Sequence, residues 1–266
     1  MASEVRLGVL GAAGRLGSRV VQLSTGWTSG RVTLATVRPG SALVGQAVPG
    51  GPAGLGYSGD GVDWSGCDVI LDVSLGAAAT AHAKEAARQG KPLLMAATGL
   101  DDTARSALQE ASQRVAVCVA PNLSAGVWVL AHLVRQAAAT LREYDVEVVE
   151  THHRHKKDAP SGTALLLAGA AAEGRGVQLK DVMVPSRASV HGARETGSIG
   201  MASLRGGDVV GDHTVALYGD GERLELTHRA HSRDTFARGA LILAARLAGR
   251  GPGMVTVPQL LGLGAA

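Results

Sequence analysis

Val5-Arg6-Leu7-Gly8-Val9-Leu10 reads as a buried strand that ends in Gly11-Ala12-Ala13-Gly14-Arg15-Leu16-Gly17, and a helix is predicted over 14–22. A strand that turns on glycine directly into a helix commits the chain to a crossover, because the helix returns it to the strand's starting edge and covers one face. The pattern then repeats. Strands are predicted at 31–37, 68–73, 92–96 and 115–119, a helix at 77–89 closed by Gly90, and another helix opened by Asp101-Asp102. The Gly/Pro-rich stretch 41–66 reads as loop with a short strand. This alternation predicts a parallel sheet covered on both faces, with the loops after successive strands gathered along the edge where ligands bind.

At 266 residues the chain is long enough for one large domain or two modest ones. Its 37 glycines and 3% aromatic content point to tight helix–sheet packing. The net charge of +3 is mildly basic, but the cations are spread and the aromatics scarce, which argues against a nucleic-acid partner. Cys67 and Cys118 lie in or beside apolar runs, far apart, and read as buried free thiols. The segment Met1-Ala2-Ser3-Glu4 leads straight into the first strand with no signal-peptide pattern, and no apolar run approaches membrane-spanning length. A cytoplasmic protein without a membrane partner is expected.

The first turn suits a dinucleotide. Glycines let backbone approach a pyrophosphate, which sits at the positive end of the following helix. The spacing is GxxGxxG, with Ala13 where the usual fingerprint has its second glycine, and a purely structural turn would explain it too. Gly11, Ala12, Ala13, Gly14, Arg15 and Leu16 are the candidate contacts. The second strand ends in Val37-Arg38-Pro39-Gly40, with no carboxylate for a ribose 2′-hydroxyl. Arg38 there favours NADPH over NADH. Ala96, Ala97 and Thr98, and Ala120-Pro121-Asn122-Leu123, are expected to line the same cleft.

A helix over 125–141 leads into a second unit, where the pattern changes. Strands are predicted up to His152 and at 198–204, 208–218 and 223–229, with a helix from Thr163 to about Glu173. Leu224 and Leu226 alternate with polar residues, which predicts one buried face, and Asp220-Gly221 is a hairpin signal. A helix over 236–247 and an apolar, turn-rich tail are expected to return to the first domain. The predicted class is α/β: a Rossmann-like parallel-sheet nucleotide domain (1–122 and 234–266) plus an α+β substrate and oligomerisation domain (123–233) with an open mixed sheet.

Between the two sheets lies Glu147 to Leu165, EVVETHHRHKKDAPSGTAL, expected at a domain cleft. Thr151 to Asp158 holds three histidines and three permanent cations in eight positions, too much charge for a core segment. His153 and His155 have strand-pair spacing for zinc, but nothing elsewhere completes a ligand set, so no metal is expected. A solvated basic loop is the plain alternative. The flanking elements favour an anion site: Ser161-Gly162-Thr163 opens a helix, offering amides and hydroxyls to a carboxylate at its positive end. Lys156 is placed to neutralise that ligand or donate a proton. A histidine crowded by cations should have a lowered pKa, near neutrality. The combination suits a small dicarboxylate beside a nicotinamide.

The segment E-x-x-E-x-H-H-x-x-K-x-D-x-P-S-G-T-A, present as Glu147 to Ala164, resembles the signature of the dihydrodipicolinate (4-hydroxy-tetrahydrodipicolinate) reductases. The likeness runs nearly end to end, through Gly11 to Gly17, Ala120 to Ser124, Thr196 to Gly200, Gly206 to Thr214 and Glu222 to His228. It implies hydride transfer from NAD(P)H to C4 of the dehydrated substrate in diaminopimelate–lysine biosynthesis. It implies His152 as proton donor/acceptor, Lys156 as second donor, His153 as a substrate contact, and Gly162 and Thr163, beside Ser161, as the carboxylate loop. It also implies a homotetramer assembled through the second domain's sheet. Departures fall mostly in the cofactor half: Ala96-Ala97-Thr98-Gly99 for Gly-Thr-Thr-Gly, Asp72-Val73-Ser74-Leu75-Gly76 for Asp-Phe-Thr-x-Pro, Val37 for an acidic residue, and Trp128 for a polar one. The alternatives are another Rossmann oxidoreductase of a small dicarboxylate and a non-catalytic dinucleotide sensor; the second has no need of a proton donor.

Overall fold

A computed structural model of the chain describes residues 4–59, 61–188 and 191–264, which fall into two units, Met1–Ser124 with Asp234–Ala266, and Ala125–Arg233. In the first unit β1 (Val5–Leu10), β2 (Gly30–Thr36), β3 (Tyr57–Ser58), β4 (Val69–Asp72), β5 (Leu93–Met95), β6 (Ala116–Val119) and β12 (Gly253–Met254) form one sheet, in the order β12-β6-β5-β4-β1-β2-β3. Every pairing is parallel. The sheet grows in opposite directions from β1, whose neighbours are β2 and β4, so the switch point of the topology lies beside β1.

The helices between these strands are α1 (Arg15–Leu23), α2 (Ala79–Gln89) and α3 (Asp102–Ala111), with α7 (Asp234–Leu247) and α8 (Val257–Leu261) at the chain's end. Alternate strand residues Leu10, Ile70, Leu93 and Met95 bury against Ala79, Ala83, Ala107 and Leu108 of α2 and α3. α1 packs with α7, and α7 also meets β4 and β5. Local signals place the boundaries. Gly90 closes α2 in the left-handed region at φ 66°, and the Asp101 side chain caps α3 by accepting the Ala104 amide. Both cysteines are free and buried, and burial pushes the Cys118 thiol up to about 12 and that of Cys67 above its ordinary value.

Gly239 shows how closely α7 sits. A Cβ there would overlap the carbonyl oxygen of Leu123. Gly239→Ala is therefore expected to lower stability by ~1–3 kcal/mol through overpacking, against an opposing helix-propensity gain of about 1 kcal/mol. Urea unfolding checks this; a midpoint at or above the wild-type value would mean that α7 can step away without loss.

The second unit holds α4 (Ala125–Thr140), β7 (Asp145–His152), α5 (Gly162–Arg175), α6 (Leu179–Val182), β8 (Met183–Val184), β9 (Ile199–Arg205), β10 (Gly211–Gly219) and β11 (Glu222–Ala230). Its sheet runs β11-β10-β7-β9-β8 and is mixed: β9 is parallel to β7 and β8, while β10 is antiparallel to β7 and β11. Leu130 and Val134 of α4, Leu167 and Ala171 of α5, and Val146, Val148, Ile199 and Leu217 of the sheet form its core. The helices approach closely enough that a Cβ at Gly174 would overlap the Arg135 carbonyl oxygen. Asp220-Gly221 joins β10 to β11, with Gly221 at φ 83° and Gly219 paired to Glu222.

The alternation in β11 overstates its burial. Leu224 is 38% exposed and Leu226 only half-buried, because β11 is an edge strand that the helix layer does not fully cover. The short α6 and β8 have no periodic signal and were not expected. Among the described residues no helix is long and apolar enough to cross a membrane.

Candidate active site

The strict alternation of β7 sets the site. Val146, Val148, Glu150 and His152 share its buried face, so the core face of the strand ends in a carboxylate and an imidazole. Glu150 is 1% exposed, and its Oε2 lies 2.6 Å from Nδ1 of His152. Arg205, at the end of neighbouring β9, donates Nη1 to Oε2 and Nη2 to Oε1, both at 2.8 Å. Burial alone would drive this carboxyl up. The hydrogen bonds from Arg205, His152 and Ser203 outweigh it and hold the group at about 2.

The chain then leaves the sheet. Gly206 N–H donates to the His152 carbonyl, and Arg205 Nη2 reaches the Asp158 carbonyl at 2.7 Å, which anchors both ends of the loop on β9. Lys156 points Nζ at both carboxylate oxygens of Asp158, each 2.9 Å away. His153 accepts the His155 amide at Nδ1 and lies 3.4 Å from Arg233 at Nε2. Partial burial and the surrounding Arg233, His155 and Lys156 lower its pKa, as crowding by cations predicts. Among the described residues no group of three or more His, Cys, Asp or Glu is placed to hold a metal ion.

Ser161 heads α5, and here the expectation is corrected. Its hydroxyl does not face outward: it is buried, accepts the Ala164 amide as helix cap, and lies 3.0 Å from Nε2 of His213 on β10. Its own amide donates to Glu150 Oε1 at 3.2 Å. A cap residue spends its oxygen on the helix, so the outward-facing groups at this helix start are Gly162, which is exposed, and Thr163, which is half-buried. His213 is buried, its pKa pushed down to about 4 chiefly by that burial, and its ring stands edge-on to His152 at 5.1 Å.

In the first unit the dinucleotide candidates lie on loops at the carboxyl ends of adjacent strands. Gly11 has φ 80°, and a Cβ there would come within 2.9 Å of Ser74 Cα, so only glycine fits. A Cβ at Gly17 would overlap the Gly11 carbonyl oxygen, so α1 starts pressed against this turn. α1 has no side-chain cap and no acidic first-turn residue, which suits an anion at its N-terminus. Ala13, Gly14 and Arg15 are exposed, Leu16 is half-buried, and Arg38 is exposed just beyond β2. Ala12, Ala97, Ala120 and Leu123 have buried side chains and offer backbone. Ala96 hydrogen-bonds β4 at Asp72, and Ala120 hydrogen-bonds β5 at Met95, which lines these loops up. Thr98 and Pro121 are exposed, and Asn122 turns its Oδ1 back on the Ser124 amide. Asp72, fully buried, accepts from Ser74 and pairs with His82 at 2.7 Å, pinning the loop that touches Gly11. Gly76 accounts for one departure: a Cβ there would lie 2.6 Å from the carbonyl oxygens of Thr98 and Gly99.

Thus the second unit brings His152, His153, Lys156, Ser161, Gly162 and Thr163 onto one strand end, loop and helix start. Sequence reasoning missed Glu150, Arg205 and His213 as parts of this cluster. For Glu150 a signal existed, the period-2 register with Val146 and Val148.

Residues 5–123 match the family described as dihydrodipicolinate reductase, N-terminus, and residues 126–261 its C-terminus. The 4-hydroxy-tetrahydrodipicolinate reductase of Anaeromyxobacter dehalogenans (strain 2CP-C) is 44% identical over 96% of this chain and 97% of its own length. That of Zymomonas mobilis subsp. mobilis (strain ATCC 31821 / ZM4 / CP4) is 43% identical over 98% of each chain. Among solved structures, the dipicolinate-bound dihydrodipicolinate reductase from Paenisporosarcina sp. TG-14 shares the fold, with a TM-score of 0.75 at 21% identity over 97% of this chain and 99% of that one. With both halves matched and relatives above 40% identity along almost the whole length, the chain belongs to the dihydrodipicolinate reductase family.

Proposed function

We propose that the chain reduces 4-hydroxy-tetrahydrodipicolinate to tetrahydrodipicolinate, the step that supplies diaminopimelate and lysine. The observation that carries this reading is the join of β7 to α5, which sets His152, Lys156 and the Gly162–Thr163 helix start on one short segment. A proton-exchanging ring, a cation and an anion-binding helix end are what a carboxylate-bearing imine needs from a protein. His152 exchanges a proton at Nε2, since Nδ1 is engaged by Glu150. Lys156 is the second proton donor, and the substrate's 4-hydroxyl leaves as water before the hydride is added. Gly162 and Thr163 receive a substrate carboxylate, with His153 beside it, and Ser161 supports them from behind as the cap.

A bound nicotinamide supplies the hydride. Gly11 to Leu16 and the start of α1 would hold its pyrophosphate, and Ala96 to Thr98 and Ala120 to Leu123 would line the same cleft. Arg38 takes the 2′-phosphate, which favours NADPH. The protein works in the cytoplasm as a homotetramer built through the second unit's sheet; Leu204 and Tyr218, 54% and 39% exposed, lie on the sheet face opposite the helices and support this.

The test generates substrate in situ with the preceding synthase and follows nicotinamide oxidation. Turnover is expected with NADPH above NADH; no turnover with either, while dinucleotide still binds, rejects the reductase in favour of a sensor. Arg38→Ala is expected to raise KM for NADPH about 10-fold, as loss of a charge-assisted hydrogen bond of ~1.5 kcal/mol implies, and to leave NADH unchanged. Equal effects on both coenzymes would remove Arg38 from the phosphate site.

A further inference from the structure

We propose that Glu150 is a positioning residue: its buried carboxylate locks His152 with hydrogen on Nδ1, so that proton exchange runs through Nε2, and ties that ring to the head of α5. The proposal rests on the reading that His152 exchanges a proton with substrate.

An ionised carboxylate offers about four lone-pair sites and no hydrogen. On Glu150 they are taken up by donors from three elements, and Ser203 of β9 adds a further hydrogen bond. Oε2 takes His152 Nδ1 at 2.6 Å and Arg205 Nη1 at 2.8 Å, and Oε1 takes Arg205 Nη2 at 2.8 Å and the Ser161 amide at 3.2 Å. An acceptor-only partner at Nδ1 requires hydrogen on that nitrogen and fixes the ring plane. Nε2 is thereby turned toward Gly211, where a Cβ would lie 3.0 Å away, so any side chain at that position of β10 would crowd this edge of the ring. His213, two residues along β10, stands edge-on to the ring and in contact with the Ser161 hydroxyl. Because one carboxylate holds both the ring and the Ser161 amide, the spacing between Nε2 and the Gly162–Thr163 helix start is set by a single buried group. At 1% exposure Glu150 acts through the groups it holds.

Two readouts test this on the full chain. Histidine 15N NMR without substrate is expected to show His152 carrying hydrogen on Nδ1 in the wild type and a mixture of tautomers in Glu150→Gln. Glu150→Gln is also expected to lower kcat by ~10-fold or more, since the carboxylate that fixes the tautomer of a proton-exchanging histidine is lost, with KM changed less than about 3-fold, and Glu150→Asp to recover part of kcat. A wild-type His152 with hydrogen on Nε2 overturns the proposal even if the variants fail to fold. So does a folded Glu150→Gln enzyme with wild-type kcat. Absence of turnover in the wild-type chain strikes the parent reading and takes the catalytic role down with it; it is told apart because the tautomer is read without substrate.

Discussion

Lys156→Ala is expected to lower kcat by ~10² or more, the lower end of what a general acid contributes, while shifting stability by less than about 1 kcal/mol. The two effects separate because of where Lys156 stands. Its Nζ reaches both oxygens of Asp158, whose side chain is 61% exposed, and the pair closes within one loop rather than tying the loop to the core. Such pairs are worth little, since water screens the charges and two long side chains must be ordered to meet. The loop is held by other means, through Arg205 on the Asp158 carbonyl and Gly206 on the His152 carbonyl. Lys156 can therefore leave Asp158 for a ligand at small cost. Lys156→Arg separates charge from proton donation: it keeps the cation but does not deprotonate near neutrality, so it should restore substrate KM and leave kcat low. Recovery of kcat by arginine would make Lys156 an electrostatic contact only.

The parallel half was legible because its signals are local. Strand, glycine turn and helix recur from Val5 onward, and caps such as Asp101 and Gly90 fall where short-range chemistry puts them. The mixed sheet was legible strand by strand, but edge position is not written in a strand's own residues, which is why Leu224 was expected to be buried. The site divided in the same way. His152, Lys156 and Gly162–Thr163 are contiguous in sequence, and charge density picks them out. Arg205 and His213 lie 55 and 52 residues from Glu150 and Ser161 and meet them only through the β7–β9 and β7–β10 registers. Ser161 is ambiguous in sequence because a hydroxyl at a helix start serves equally as cap or as ligand contact; burial decides between them, and burial is a tertiary property.

Arg205→Ala is expected to destabilise the second unit by about 3–5 kcal/mol at neutral pH, the cost of breaking a buried ion pair from one side. Glu150 would keep His152, Ser203 and the Ser161 amide but lose its two charge-assisted bonds, and burial, the largest influence on it, would then push its carboxyl upward. The pH dependence fixes the assignment. A carboxyl held at about 2 in the folded chain, against an ordinary 4.5, contributes stability that is fully present above 4.5 and lost as pH falls from there toward 2. That corresponds to roughly 3 kcal/mol. His213, held at about 4 against 6.5, contributes stability present above 6.5 and lost as pH falls through 4. Burial, the chief influence on His213, is common to both proteins, while Asp158, which the charge of Arg205 also lowers, adds to the gap in the same direction. The gap between wild type and variant should be full at pH 7 and shrink as pH falls from the variant's raised carboxyl pKa toward 2. Hydrogen exchange of the β7 and β10 amides reads the gap in the unit that carries it. A gap below about 1 kcal/mol at pH 7, the size of an exposed pair, or one that persists unchanged at pH 3, would mean that Arg205 does not hold Glu150 ionised.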